Sequence, residues 1–236
     1  MHDAIWLHTA DFIAYRLAGV LQTDYTLAGR TYAFHLSQKE WDASWLHQFG
    51  LSPDLFPQPV PSGTPLGSGV TTDFASIGLA AGTPLAICGH DHLCAAFAAG
   101  AISPGVVFDS MGTAETLVGA IPERPLTTTE YDSGLTFGCH TVANRYYWLG
   151  GSAASGGSLE WLRTIFNDPP LTYEALNHLL GEMRAGPGDL IYLPYLSGRG
   201  APWPQPEIRG AFGGLATGHT RADLLQAVLE GTAYQV

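Results

Sequence analysis

The stretch from Leu85 to Glu115 constrains this chain most. Leu85-Ala86-Ile87-Cys88 is an apolar run of strand length, led in by Gly82-Thr83-Pro84 and followed by Gly89-His90-Asp91-His92. A small-residue helix is expected over Leu93 to Gly100. Ser103-Pro104-Gly105, the apolar run Val106-Val107-Phe108 and a glycine turn, Gly112-Thr113-Ala114-Glu115, come next. An acid thus stands at the end of a predicted buried strand, and about twenty residues on, a second strand turns at Gly-Thr. That order suits a site in which a carboxylate handles a proton and a backbone turn handles a phosphate. Ligand clefts in α/β sheets form at the C-terminal ends of strands, where Asp91 would stand.

On either side of this stretch the pattern alternates helices with short strands. Ile5, Trp6, Ile13 and Leu17 predict a helix over residues 2–18 with Gly19 as its C-cap. The run from Thr23 to Thr31 is polar and compact and reads as a loop folded against something. Trp41 to Phe49 predicts a short helix. Five prolines and four glycines make residues 50–69 mostly loop. Val70 to Leu79 is ambiguous. Leu117-Val118 extends the Thr113 turn into a hairpin, Pro122 to Tyr131 is a predicted loop, and Leu135–Thr141 with Arg145–Leu149 is a second strand pair turning at Ala143-Asn144. Helices are expected near Ser155–Phe166 and over 172–184, a strand over Leu190–Leu193, and a loop over Tyr195–Pro206. A Thr220/Asp223 capping box announces a last helix carrying Leu224, Leu225, Val228 and Leu229. With a helix at its start and another at its end, the chain is expected to be the middle of a longer protein.

Charge and composition narrow the function class. A net charge of −11 with no Lys/Arg run argues against nucleic acid and anionic membranes as partners. The longest near-apolar run, Leu93 to Ile102, is too short to span a bilayer. Asp3 and Asp11 interrupt the N-terminal segment, so it does not read as a signal peptide. Cys88, Cys94 and Cys139 show no metal-finger spacing and read as reduced, buried thiols of a cytoplasmic protein. With 46% apolar and 13% charged residues, a folded enzyme of small-molecule metabolism is the default.

Four stretches in order give the chain a likeness to a known family. They are Asp11 to Thr31, Gly82 to Gly105, Asp109 to Glu115 and Leu193 to Glu230. The last contains Pro194-Tyr195-Leu196-Ser197-Gly198, Arg209-Gly210-Ala211-Phe212-Gly213-Gly214-Leu215 and His219-Thr220-Arg221-Ala222-Asp223-Leu224. Together these resemble the FGGY family of carbohydrate kinases, over roughly the middle half of a member. The resemblance implies an α/β fold of two actin-like ATPase (ribonuclease H-like) domains with the active site in the cleft between them. Residues 1–103 would finish the first, sugar-binding domain, and residues 104–236 would begin the second, nucleotide-binding one.

By the same resemblance, Asp91 is the general base that takes the proton of a sugar or polyol hydroxyl as it attacks ATP, and it also binds substrate. His92 matches a substrate-contacting position, where the glycerol kinase branch carries an amide. Gly112 and Thr113 match the phosphate turn, Gly156 and Glu160 nucleotide-contacting positions, and Mg2+ accompanies the ATP. The family's Asp-Gly-Thr phosphate loop and its Gly-rich adenosine segment are not in these residues, so the chain alone is expected to have little or no activity. It could also self-associate as a homo-oligomer.

Each assignment has a plainer reading from the residues alone. Asp91 could cap the helix after it, Gly-Thr could be an ordinary hairpin turn, and Glu160 could be a solvated helix residue. Trp161 reads as core, His90 as structural, and Arg199 and Arg209 as loop salt-bridge formers. Two other functions stay open: a non-catalytic sugar- or nucleotide-binding kinase-like protein, and a metal-dependent hydrolase using His90, Asp91 and His92. Consecutive residues on a strand alternate sides and do not converge on a metal, which argues against the latter.

Overall fold

The computed structural model describes residues 4–236. Backbone proximity groups them into two units. One is built from the chain up to Phe108 with Val118–Pro125 and Phe137–Trp148, the other from Asp109–Leu117, Leu126–Thr136 and Leu149–Val236. The chain therefore passes between the units more than once between residues 108 and 149.

In the first unit, helix α1 (Thr9–Ala18) begins where His8 takes the N-cap and the Asp11 carboxylate accepts the His8 amide at 3.1 Å. It ends at Gly19, whose φ of 71° is the left-handed stop a C-cap requires. The helix is shorter than the predicted 2–18: Ile5 and Trp6 precede it as irregular chain, and residues 2 and 3 lie outside the described residues. Trp6 instead packs edge-on against Phe56 at 5.6 Å, opening an aromatic row that continues through Trp41, Phe34 and Tyr25.

The polar run after α1 is ordered structure, not loop. Strand β1 (Gln22–Asp24) leads into the one-turn helix α2 (Tyr25–Gly29), capped by Asp24, whose Oδ1 accepts the Leu27 amide at 2.9 Å. Thr23, Asp24 and Thr26 are all fully buried. Local hydrogen bonding satisfies Asp24 and Thr26, so polarity here did not mean exposure. Strands β2 (Phe34–His35) and β3 (Glu40–Trp41) form a small hairpin. It takes Trp41 away from the predicted second helix, leaving α3 (Ala43–Gln48) to start at its Asp42 cap. Within the Pro-rich segment, β4 (Gln58–Val60) pairs parallel with β1, Asp24 opposite Val60. The ambiguous 70–79 segment holds a 3-10 turn over Thr72–Ile77.

The predicted buried strand Leu85–Cys88 does not form. Ile87 is buried and packs with Ala14 and Leu66, but the segment makes only an isolated bridge, Ala86 to Pro65. Leu66 and Gly63 donate to the carbonyls of Leu85 and Ile87, each at 2.8 Å, while Pro61 and Pro65 in the facing chain have no N–H, so no ladder extends. Helix α4 (Asp91–Ala98) follows at once. The three thiols also differ from expectation: Cys139 is buried, with burial pushing its pKa up to about 12, but Cys94 is half-buried and Cys88 exposed.

Strands β5 (Val107–Met111), β6 (Glu115–Pro122), β7 (Thr136–Cys139) and β8 (Arg145–Ser152) make a four-stranded sheet in the order β5-β6-β8-β7. Both predicted hairpins are present in it. Between them the predicted loop 122–131 carries a one-turn helix, α5 (Thr128–Asp132), because Thr127 and Glu130 cap each other.

In the second unit, α6 (Gly156–Phe166), α7 (Tyr173–Gly181) and α8 (Arg221–Ala233) surround the antiparallel pair β9 (Ile191–Leu193) and β10 (Ala211–Gly213). Leu162, Leu176, Leu190, Tyr192, Leu225 and Val228 form the core, and Trp161 packs against it as expected. The Tyr192 hydroxyl is not stranded there: it donates to Ser158 Oγ at 3.0 Å. Among the described residues no helix is long and apolar enough to cross a membrane.

Candidate active site

The first unit presents Gly89-His90-Asp91-His92. His90, not Asp91, is the N-cap of α4, with φ −63° and ψ 140°. Asp91 is the first helical residue, one position inside the cap. That side chain is 85% exposed. Its Oδ1 accepts the His92 amide at 2.7 Å and lies 3.1 Å from His90 Nδ1. Burial lowers the His90 pKa, against a smaller opposing pull from Asp91, so the nearby carboxylate does not hold the imidazole in its charged form. The His90 and His92 rings stack at 5.5 Å. Among the described residues no group of three or more His, Cys, Asp or Glu side chains is arranged to hold a metal ion.

Behind this exposed carboxylate stands a buried polar chain that sequence reasoning missed. The His90 amide donates to Thr26 Oγ1 at 2.8 Å, and the Thr26 hydroxyl faces both Asp24 carboxylate oxygens at 2.9 and 3.0 Å. The Ser62 hydroxyl donates to Asp24 Oδ2. Burial raises the Asp24 pKa, and hydrogen bonds from Ser62, Leu27 and Thr26 offset part of that rise. The available signal was Thr23-Asp24-Tyr25-Thr26 itself, the start of a polar, compact run that reads as a loop folded against something.

In the second unit the structure brings three of the expected nucleotide residues together. Gly112-Thr113-Ala114 turns the chain from β5 to β6, with the Gly112 amide on the Ala114 carbonyl at 2.9 Å. Gly156 and Gly157, the first residues of α6, donate to the Gly112 and Thr113 carbonyls at 3.0 and 2.9 Å. A Cβ on Gly156 would come within 2.5 Å of the Gly112 carbonyl oxygen. The close approach that Gly156 permits is therefore to the turn, and the first two amides of α6 are already used. Thr113 is exposed, and among the described residues its amide and hydroxyl have no partner.

Glu160, one turn along α6, is engaged elsewhere. Arg163 holds it through Nη2 at 2.6 Å and Nε at 3.0 Å, and the Tyr173 hydroxyl lies at 3.3 Å. The Arg163 hydrogen bond lowers the Glu160 pKa. Arg209 donates to the carbonyls of Pro206 and Ile208, and the Arg199 guanidinium sits 5.9 Å from the Trp203 ring, so these two use carbonyls and an aromatic ring where salt bridges were expected. A further missed residue is Glu115, 4% exposed beside Ser155 and Asp109, whose signal was an acid placed directly after the Gly-Thr turn.

Comparison with known proteins places this arrangement. The N-terminal domain model of the FGGY family of carbohydrate kinases matches residues 2–98, and the C-terminal domain model matches residues 108–236. The chain belongs to the FGGY family of carbohydrate kinases. A xylulose kinase from Bacillus subtilis is 30% identical over 233 residues, covering 99% of this chain and 46% of that protein. A gluconokinase from the same species is 27% identical over 96% of the chain. Among solved structures, a xyloylose kinase from Brucella ovis superposes with a TM-score of 0.84 at 29% identity, over 97% of this chain and 46% of that one. The fold is thus the α/β actin-like ATPase fold of the FGGY sugar kinases, present as two partial domains. The chain spans about half the length of the relatives it matches.

Proposed function

We propose that the protein to which these residues belong transfers the γ-phosphoryl group of ATP to a hydroxyl of a sugar or polyol, with Asp91 as general base. A sugar hydroxyl is a weak nucleophile at neutral pH. As its oxygen bonds to the γ-phosphorus and the bond to the ADP oxygen breaks, Asp91 takes the hydroxyl proton, so that alkoxide character never has to build up unassisted. The observation that carries this reading is the Asp91 carboxylate itself, 85% exposed at the first position of a helix it does not cap.

Residues 1–103 are assigned to the sugar-binding domain and residues 104–236 to the nucleotide-binding domain, near the gap between the two family matches. His92 is placed on the substrate side of Asp91. Gly112 and Thr113 are assigned to the ATP phosphates: Thr113 has a free amide and hydroxyl to offer, and negative phosphate oxygens seek such donors. Gly156 acts by holding α6 against that turn. Glu160 is assigned to the nucleotide as well, its carboxylate held by Arg163. Mg2+ enters as the companion of ATP and would neutralise its phosphate charge. The relatives bear three names, xylulose kinase, gluconokinase and glycerol kinase, so the acceptor is drawn from that range of small polyhydroxy compounds. A cytoplasmic location fits such a substrate and three free thiols.

The test is Asp91→Asn in the full-length protein, assayed with ATP, Mg2+ and a ketose and polyol panel. Loss of the base is expected to lower kcat by about 10²–10⁴-fold while substrate binding, followed by calorimetry, survives. Unchanged turnover in the variant would remove Asp91 from the chemistry. Binding with no phosphorylation by the wild type would instead favour a kinase-like binding protein.

A further inference from the structure

We propose that Thr26 and Asp24 are positioning residues for Asp91, acting through a buried hydrogen-bond chain that fixes the Gly89–His90 backbone; the proposal rests on the kinase reading of Asp91. Thr26 has one hydroxyl hydrogen. That hydrogen is donated to the Asp24 carboxyl oxygens, 2.9 and 3.0 Å away. The lone pair left on Thr26 Oγ1 then faces the His90 N–H at 2.8 Å. Asp24 therefore sets the direction in which Thr26 can accept. It is itself held at Oδ1 by the Leu27 amide and at Oδ2 by the Ser62 hydroxyl. Thr26 and Asp24 are 0% exposed, so no solvent molecule can take over their bonds.

The backbone that receives this chain is pressed against the same side chains. Gly89 has φ 127°, a left-handed value that favours glycine. A Cβ there would lie 2.8 Å from Thr141 Cγ2, 3.1 Å from Thr26 Oγ1 and 3.4 Å from Asp24 Oδ2. His90 is the residue through which α4 starts, so its backbone orientation decides where Asp91, the next residue, projects its carboxylate. The remaining contacts of Asp91, to the His92 amide and the His90 ring, are between chain neighbours and move with it. Among the described residues, the bond from His90 to Thr26, 64 positions away in the sequence, is the one hydrogen bond tying 89–92 to a distant part of the chain. An exposed carboxylate on a short helix thereby inherits the rigidity of a fully buried pair. A misplacement of about 1 Å costs on the order of 10²-fold in rate, which makes such anchoring worthwhile for a base.

Two readouts test this in the full-length protein: steady-state kinetics, and hydrogen exchange at the His90 amide. Thr26→Val keeps the side-chain shape but removes both bonds. It is expected to lower kcat by about 10–100-fold with little change in KM, and to speed His90 exchange about tenfold. Thr26→Ser restores the hydroxyl and should return both readouts close to wild type. Ser62→Ala, which loosens Asp24 without touching Thr26, should shift both in the same direction more weakly and covers the case in which Thr26→Val fails to fold. A purely structural role would lower the melting temperature while leaving kcat intact. That result, unchanged His90 exchange in the folded variants, or equal impairment of the Val and Ser variants would overturn the proposal. Failure of the kinase reading looks different: Asp91→Asn would then leave turnover unchanged, while exchange at His90 still reports whether Thr26 anchors it.

Discussion

Glu115 lies immediately after the Gly112-Thr113 turn, 4% exposed, with its Oε2 buried and without a hydrogen-bond partner. Burial raises its pKa above the ordinary 4.5; Asp109 adds to the rise, and a hydrogen bond from Ser155 opposes it. The sign of the stability effect follows from proton counting. Between the ordinary value and the raised one, the folded chain holds a proton that the unfolded chain has released, so stability falls as pH increases through that window. Glu115→Gln, neutral at every pH, is expected to make that fall shallower in urea unfolding series from pH 4.5 upward. An unchanged slope would mean that the Glu115 carboxyl is not the group responsible. Asp24, also raised by burial, contributes a slope of the same sign and remains in the variant. The same physics explains why neither acid was singled out from the sequence: an Asp or Glu letter carries no mark of burial.

At the scale of elements, the start of α6 and the β5–β6 turn form one object. Gly156 and Gly157 give their amides to the turn, so α6 needs no side-chain cap from Ser155. The sequence showed Gly156-Gly157 in a first helical turn, where glycine is usually a weakness, and the structure supplies the reason. Gly156→Ala would place a Cβ 2.5 Å from a backbone oxygen that cannot swing aside. It is expected to destabilise by about 1–3 kcal/mol, as overpacked sites do. Gly157→Ala, whose Cβ would meet Thr113 O at 3.1 Å, should cost less. Urea midpoints of the two variants check the order; equal and small effects would contradict the close packing of turn and helix.

For the whole molecule, length is the governing quantity. The chain covers 46% of the xylulose kinase it resembles. Phosphoryl transfer depends mostly on electrostatic clamping from several sides at once. On the kinase reading proposed above, the 236 residues alone are expected to phosphorylate any acceptor at a small fraction of the rate of the chain extended to its relatives' length. A coupled ADP-release assay on both proteins measures this, and equal rates would contradict it.

Both hairpins and α6 to α8 were readable from the chain, because periodicity, turn residues and caps are local properties and the Thr220/Asp223 capping box marks the start of α8; the fold class was readable only through the likeness of four ordered stretches to a known family. The Leu85–Cys88 strand was misread because strand formation depends on the donors opposite, and prolines stand there. The burial of Asp24 and Thr26, their grip on His90, and the spending of Gly156 on the turn were decided only by tertiary structure. Each depends on a partner dozens of residues away, and hydrogen-bond satisfaction across such distances leaves no periodic trace in sequence.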